Sequence, residues 1–128
     1  MKNKKVILVD LDGVLNTYNG NYEQNYIPQP KEGAREFLQE LNKKYDVFIF
    51  TSRPLILTEA WLKSNKFEGL YKSITNSKLP AYLYIDDRAI CHNGNFETTL
   101  KNIAECPVTL SLIICYGQFE NLGFSDFN

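Results

Sequence analysis

Asp10 and Asp12 close an apolar run, Val6-Ile7-Leu8-Val9-Asp10-Leu11-Asp12-Gly13, in which two carboxylates are spaced by one residue and followed at once by glycine. On a strand, side chains at i and i+2 share a face, so the two acids converge on one pocket while Leu11 points elsewhere. Gly13 lets the backbone turn sharply or approach a ligand closely. Paired carboxylates at the end of a buried strand repel each other and resist desolvation, which calls for a cation, a shared proton or good hydrogen bonding. A hard divalent metal answers that need. The plainer account is a strand running into a polar turn, because Asp and Gly are ordinary turn residues.

Other strand ends carry complementary chemistry. Phe50-Thr51-Ser52-Arg53 supplies two hydroxyls and a guanidinium, the neutral donors and positive charge that a phosphate needs. Arg53 serves equally well as a carboxylate partner. Lys78, in Asn76-Ser77-Lys78-Leu79-Pro80, precedes the next apolar run and can reach the same mouth. Taken singly, Thr51 and Lys78 are routine capping and surface residues. Tyr84-Ile85-Asp86-Asp87-Arg88-Ala89 ends a further run with adjacent carboxylates, one able to face the pocket while the other reaches round the turn or binds through water. An acidic turn paired with Arg88 is the alternative. Two strands that both end in paired aspartates can surround a magnesium ion, which takes oxygen ligands octahedrally and retains several waters.

The elements that must position these groups follow from periodicity. Val6 to Asp10, Val47 to Thr51 and Tyr82 to Asp86 read as short buried strands, with weaker or later strands at Tyr71 to Thr75 and Val108 to Tyr116. Between them, Ala34, Phe37, Leu38, Leu41 and Tyr45 recur at helical spacing within Lys31 to Tyr45, with Pro30 suited to the first turn. A second helix is expected over Leu57 to Lys66, with Leu57, Ala60, Trp61 and Ser64 inward, and a third over Phe96 to Glu105. Alternating β and α elements imply an α/β fold with a mostly parallel central sheet and right-handed crossovers. Asn16 to Pro30 is an irregular Asn- and Tyr-rich loop directly after the two aspartates, in which Tyr18, Tyr22 and Tyr26 either flap over the pocket or pack against the domain.

Composition narrows the setting. The 128 residues, 44% hydrophobic, are enough for one domain with its own core over 1–128. A net charge of -1 does not point to nucleic acid, although a local basic patch would still accommodate it. Cys91, Cys106 and Cys115 have no CxxC spacing and His92 stands alone, so neither a zinc site nor a disulfide framework is indicated; a reducing, cytoplasmic setting fits. Cys91 and His92 are adjacent, but neighbours on an extended chain point apart. The basic start Met1-Lys2-Asn3-Lys4-Lys5 precedes an apolar run broken by Asp10, which predicts neither a signal peptide nor a membrane partner.

In order along the chain, Asp10-Leu11-Asp12-Gly13, Thr51, Lys78 and Asp86-Asp87 resemble the motifs of the haloacid dehalogenase superfamily, and the Thr51-Ser52-Arg53-Pro54 and Tyr84-to-Ala89 segments look like its small capless members. The resemblance implies a Rossmann-like three-layer sandwich without a cap domain. It also implies a magnesium-dependent phosphatase in which Asp10 is the nucleophile and Asp12 the acid/base. Magnesium would be held by Asp10, the backbone carbonyl of Asp12, and Asp86, with Asp87 in support. Thr51, Ser52, Lys78 and, in one of its two roles, Arg53 would bind the phosphoryl oxygens. The presence of Asp12 disfavours carbon–halogen cleavage. The substrate implied is a phosphorylated small molecule, such as a nucleotide, or a macromolecular end. Two alternatives remain at this level: a catalytically silent phosphate-binding module on the same fold, and a response-regulator-like receiver, which would place its acids and acceptor on separate strands.

Overall fold

The computed structural model describes residues 3–106. The strand expected over Val108 to Tyr116, the tail 117–128 and Cys115 lie outside the described residues. The chain divides into two compact units between Asp86 and Asp87.

The first unit contains β1 (Lys5–Asp10), α1 (Ala34–Lys44), β2 (Tyr45–Phe50), α2 (Leu55–Ser64), β3 (Ser73–Thr75) and β4 (Leu83–Ile85). The four strands form one parallel sheet in the order β3-β2-β1-β4. From the centre the chain steps outward through β2 to β3, then returns to the other side of β1 as β4. That reversal creates a topological switch point between β1 and β4, the place where open α/β sheets leave a crevice beyond the carboxyl ends of their strands.

Strand periodicity divides the sheet into two faces. Ile7, Val9, Val47 and Ile49 point to one of them and are buried to 2% exposure or less. They form a single cluster with Leu11, Leu15, Ala34 and Leu38 and with Leu62 and Phe67. Both α1 and α2 therefore cover this face. Leu8 is buried but stands outside that cluster, in register with Phe48 and Tyr84 on the opposite face.

The helices obey the expected pattern with instructive shifts. In α1, Ala34, Leu38 and Leu41 make the inner stripe, whereas Phe37 lies at its margin and is exposed. Its start falls after the expected Lys31 because Gly33, at φ 88°, turns the chain in the left-handed region before the helix begins. Tyr45 is extended rather than helical, capping α1 and opening β2 with no loop between them. In α2 the fully buried residues are Thr58 and Leu62, while Ala60 and Ser64 are exposed. Thr58 is buried because its hydroxyl donates to the Pro54 carbonyl at 3.0 Å, a satisfaction that a count of apolar residues misses. Trp61 packs against the core, stacks on Phe67 at 5.6 Å, and donates to the Pro28 carbonyl at 3.1 Å.

The second unit holds α3 (Phe96–Ala104), capped by the Asn95 side chain, which accepts from the Thr98 N–H at 3.0 Å. There His92 Nδ1 lies 2.6 Å from Thr99 Oγ1 and its ring stacks on Phe96. No helix among the described residues is long and apolar enough to cross a membrane.

Leu38 has no exposure and joins α1 to the sheet, so Leu38→Ala should cost about 3 kcal/mol. Urea unfolding measures it, and a loss below about 1 kcal/mol would contradict the packing described.

Candidate functional site

Asp10 is the last residue of β1, and Val9 pairs with Ile85 of β4, so the next residues, Asp10 and Asp86, stand opposite each other at the carboxyl end of the switch point. Carboxylate oxygens of Asp10, Asp86 and Asp87 lie within 4.8 Å of one another. Parallel pairing of β1 with β4 puts the Asp10 and Asp86 positions side by side at neighbouring strand ends. Asp87 is peptide-bonded to Asp86, and that link keeps it beside the pair. Three carboxylates this close could hold a metal ion, and an all-oxygen donor set suits magnesium.

Asp12 sits differently. Leu11 between the two acids is fully buried in the core, and its N–H donates to the Phe50 carbonyl at 3.0 Å, extending the ladder one step past β1. Gly13 then turns at φ 88°. Asn16, fully buried, closes this turn: its Oδ1 accepts from the N–H groups of Gly13 and Tyr18 at 3.0 Å, and its Nδ2 donates to Asp12 Oδ1 at 2.9 Å. Lys31 adds an ammonium on the Gly13 carbonyl at 2.6 Å.

Arg53 is the second partner of Asp12. Its side chain has no exposure, and its Nε donates to Asp12 Oδ2 at 2.9 Å and to Oδ1 at 3.1 Å. Nη1 donates to the carbonyls of Glu23 and Tyr26, both at 3.0 Å. Nη2 has no hydrogen-bond acceptor among the described residues, but the Tyr22 ring covers the guanidinium at 4.7 Å, a cation–π contact. Pairing with a carboxylate is one of the two roles open to Arg53 from sequence.

The tyrosine-bearing loop is thereby tied down. Its ends are zipped by the Asn16–Pro30 bridge, by Thr17 N–H to the Gln29 carbonyl and by Lys31 N–H to the Leu15 carbonyl, both 2.9 Å. Ile27 is buried in the core and Arg53 holds the loop's middle. Tyr22 and Tyr26 remain about half exposed, at 52% and 50%.

Thr51 is buried beside Arg53, and its Oγ1 accepts from the Arg53 N–H at 3.1 Å. Asn76 Nδ2 donates to the carbonyls of Thr51 and Arg53, fixing the turn after β2. Ser52, between them, is exposed. Lys78 is exposed, with its ammonium 4.5 Å from the Tyr84 ring centre, and Tyr84 donates its hydroxyl to the Leu79 carbonyl at 2.8 Å. Tyr84 precedes Asp86 by two residues and shares its face, so this contact holds Lys78 on the strand that leads to the acid group.

No family model, curated protein or solved structure matches the chain. The chemistry of the site rests on its own residues. Asn16, Lys31, Tyr84 and Asn76 contribute to it without having been singled out from sequence. For Asn16 a signal exists, a short amide side chain three residues after a strand-ending Asp-Gly, suited to cap the turn's free N–H groups.

Two outcomes follow. Asp12→Ala strands a buried guanidinium and should cost about 3 kcal/mol in urea unfolding; a neutral effect would mean that the pair does not hold the fold. Magnesium chloride should raise the melting temperature of the protein and leave that of Asp86→Asn nearly unchanged, because binding to the folded state alone stabilises it. Equal shifts in both proteins would place the ion elsewhere.

Proposed function

We propose that this protein is a magnesium-dependent phosphomonoester hydrolase of the haloacid dehalogenase type, built as a capless Rossmann-like three-layer sandwich and acting through an aspartyl-phosphate. The observation that carries the reading is the meeting of Asp10 with Asp86 and Asp87 at the switch point of a parallel sheet, two residues before an Asp12 held by its own partners. Asp10 and Asp86, with the Asp12 carbonyl, would hold magnesium, and Asp87 would support them. The bound ion would orient the phosphate and offset its charge against the attacking carboxylate.

The chain's groups then divide the reaction into two steps. A carboxylate oxygen of Asp10 attacks phosphorus as the bond to the leaving oxygen breaks, and Asp12 gives that oxygen a proton. Asp12 next takes a proton from water, whose oxygen attacks phosphorus and displaces Asp10, releasing inorganic phosphate. Thr51, Ser52 and Lys78 supply donors and positive charge for the phosphoryl oxygens as charge shifts. Tyr22 and Tyr26, half exposed beside Asp12's partner, suit a substrate with a flat ring, such as a nucleotide.

Hydrolysis of p-nitrophenyl phosphate should depend on magnesium and fall by at least about 1,000-fold in Asp10→Asn, since the nucleophile is lost. Turnover that survives this substitution sinks the mechanism. Magnesium binding without turnover of any phosphomonoester would instead fit the silent module.

A further inference from the structure

Asp12's hydrogen bonds are unequally shared between its two oxygens. A carboxylate oxygen offers two lone pairs. Oδ1 accepts from Asn16 Nδ2 at 2.9 Å and from Arg53 Nε at 3.1 Å, so both of its lone pairs are engaged. Among the described residues, Oδ2 accepts only from the same Arg53 N–H, at 2.9 Å. That leaves Oδ2 with a lone pair directed away from the guanidinium, on a side chain that is 19% exposed.

The other edge of the guanidinium belongs to the loop. Nη1 spends both of its hydrogens on the Glu23 and Tyr26 carbonyls, and the Tyr22 ring lies over the plane. Arg53 has no exposure, so lifting residues 22–26 would strip a buried cation of these acceptors. The seat of the loop and the aim of Asp12 are therefore set by one group.

Resting on the phosphatase reading, we propose that Arg53 is a positioning residue that turns Asp12 so that Oδ2 exchanges the proton with the leaving group, and that it makes a seated 16–30 loop a condition of that transfer. Arg53 then acts on the reaction only through Asp12. Its importance should grow with the leaving group's need for a proton.

The experiment compares kcat/KM for phenyl, p-nitrophenyl and 2,4-dinitrophenyl phosphate, in magnesium, for the full chain and for Arg53→Lys. Because kcat/KM reports the transfer to Asp10, the loss should be about 100-fold on phenyl phosphate and under about 10-fold on the dinitrophenyl ester, whose phenolate leaves without a proton. Asp12→Asn should show the same trend more steeply. Circular dichroism checks folding. If Arg53→Lys does not fold, Tyr22→Leu replaces it, since a half-exposed ring can be removed without opening the core, and the same trend is expected at several-fold size. A loss equal across the three esters in the folded variant overturns the proposal, because a merely structural or phosphate-binding arginine affects all three alike. Absence of turnover by the unaltered protein would overturn the phosphatase reading itself, which separates the two failures.

Discussion

A guanidinium shut away from water must find acceptors on several sides, and Arg53 draws them from segments that are distant in sequence. Asp12 comes from the turn after β1, and the Glu23 and Tyr26 carbonyls come from the loop that follows it. Arg53 itself stands at the start of α2's turn, held by Thr51 and Asn76. Burying such an ion without partners costs several kcal/mol, roughly the margin by which a small domain is stable at all. The ends of β1 and β2 and the intervening loop consequently share one arrangement in which that ion is satisfied.

The aspartates of the region meet different neighbours. Asp12 is supplied with donors by the protein itself, from Asn16 and Arg53. Asp10 has carboxylate oxygens of Asp86 and Asp87 within 4.8 Å. Two acids one residue apart thus differ because successive positions after the strand are served by different neighbours: register with β4 decides the first, and a glycine turn closed by an amide decides the second.

Much of this was readable from sequence because strand periodicity is local. The runs ending at Asp10 and Asp86 announce themselves by their apolar side chains, and the βα alternation implies that their ends line up. Thr58 shows where the reading stops: a buried polar residue satisfied by a backbone carbonyl looks like a surface residue in a hydrophobic pattern. Arg53 shows the same limit at greater range. Its identity suggests a phosphate or a carboxylate equally, and only tertiary structure brings it to Asp12, 41 positions away. Spacing put Tyr45 in the helix although it begins β2, because its ring serves the core in either place.

The direct passage from α1 into β2 at Tyr45 has a counterpart in the long loop before α1. One element has no slack and the other has plenty. A residue added between Lys44 and Tyr45 would have to be absorbed by slipping β2, which turns Val47 and Ile49 off the core face and Phe48 and Phe50 onto it. A residue added near Gly20, in an exposed stretch before the carbonyls that hold Arg53, disturbs no ladder. Length variation in descendants of this chain would thus accumulate in the loop after β1 and be purged at the helix–strand junction, where it alters what can fold.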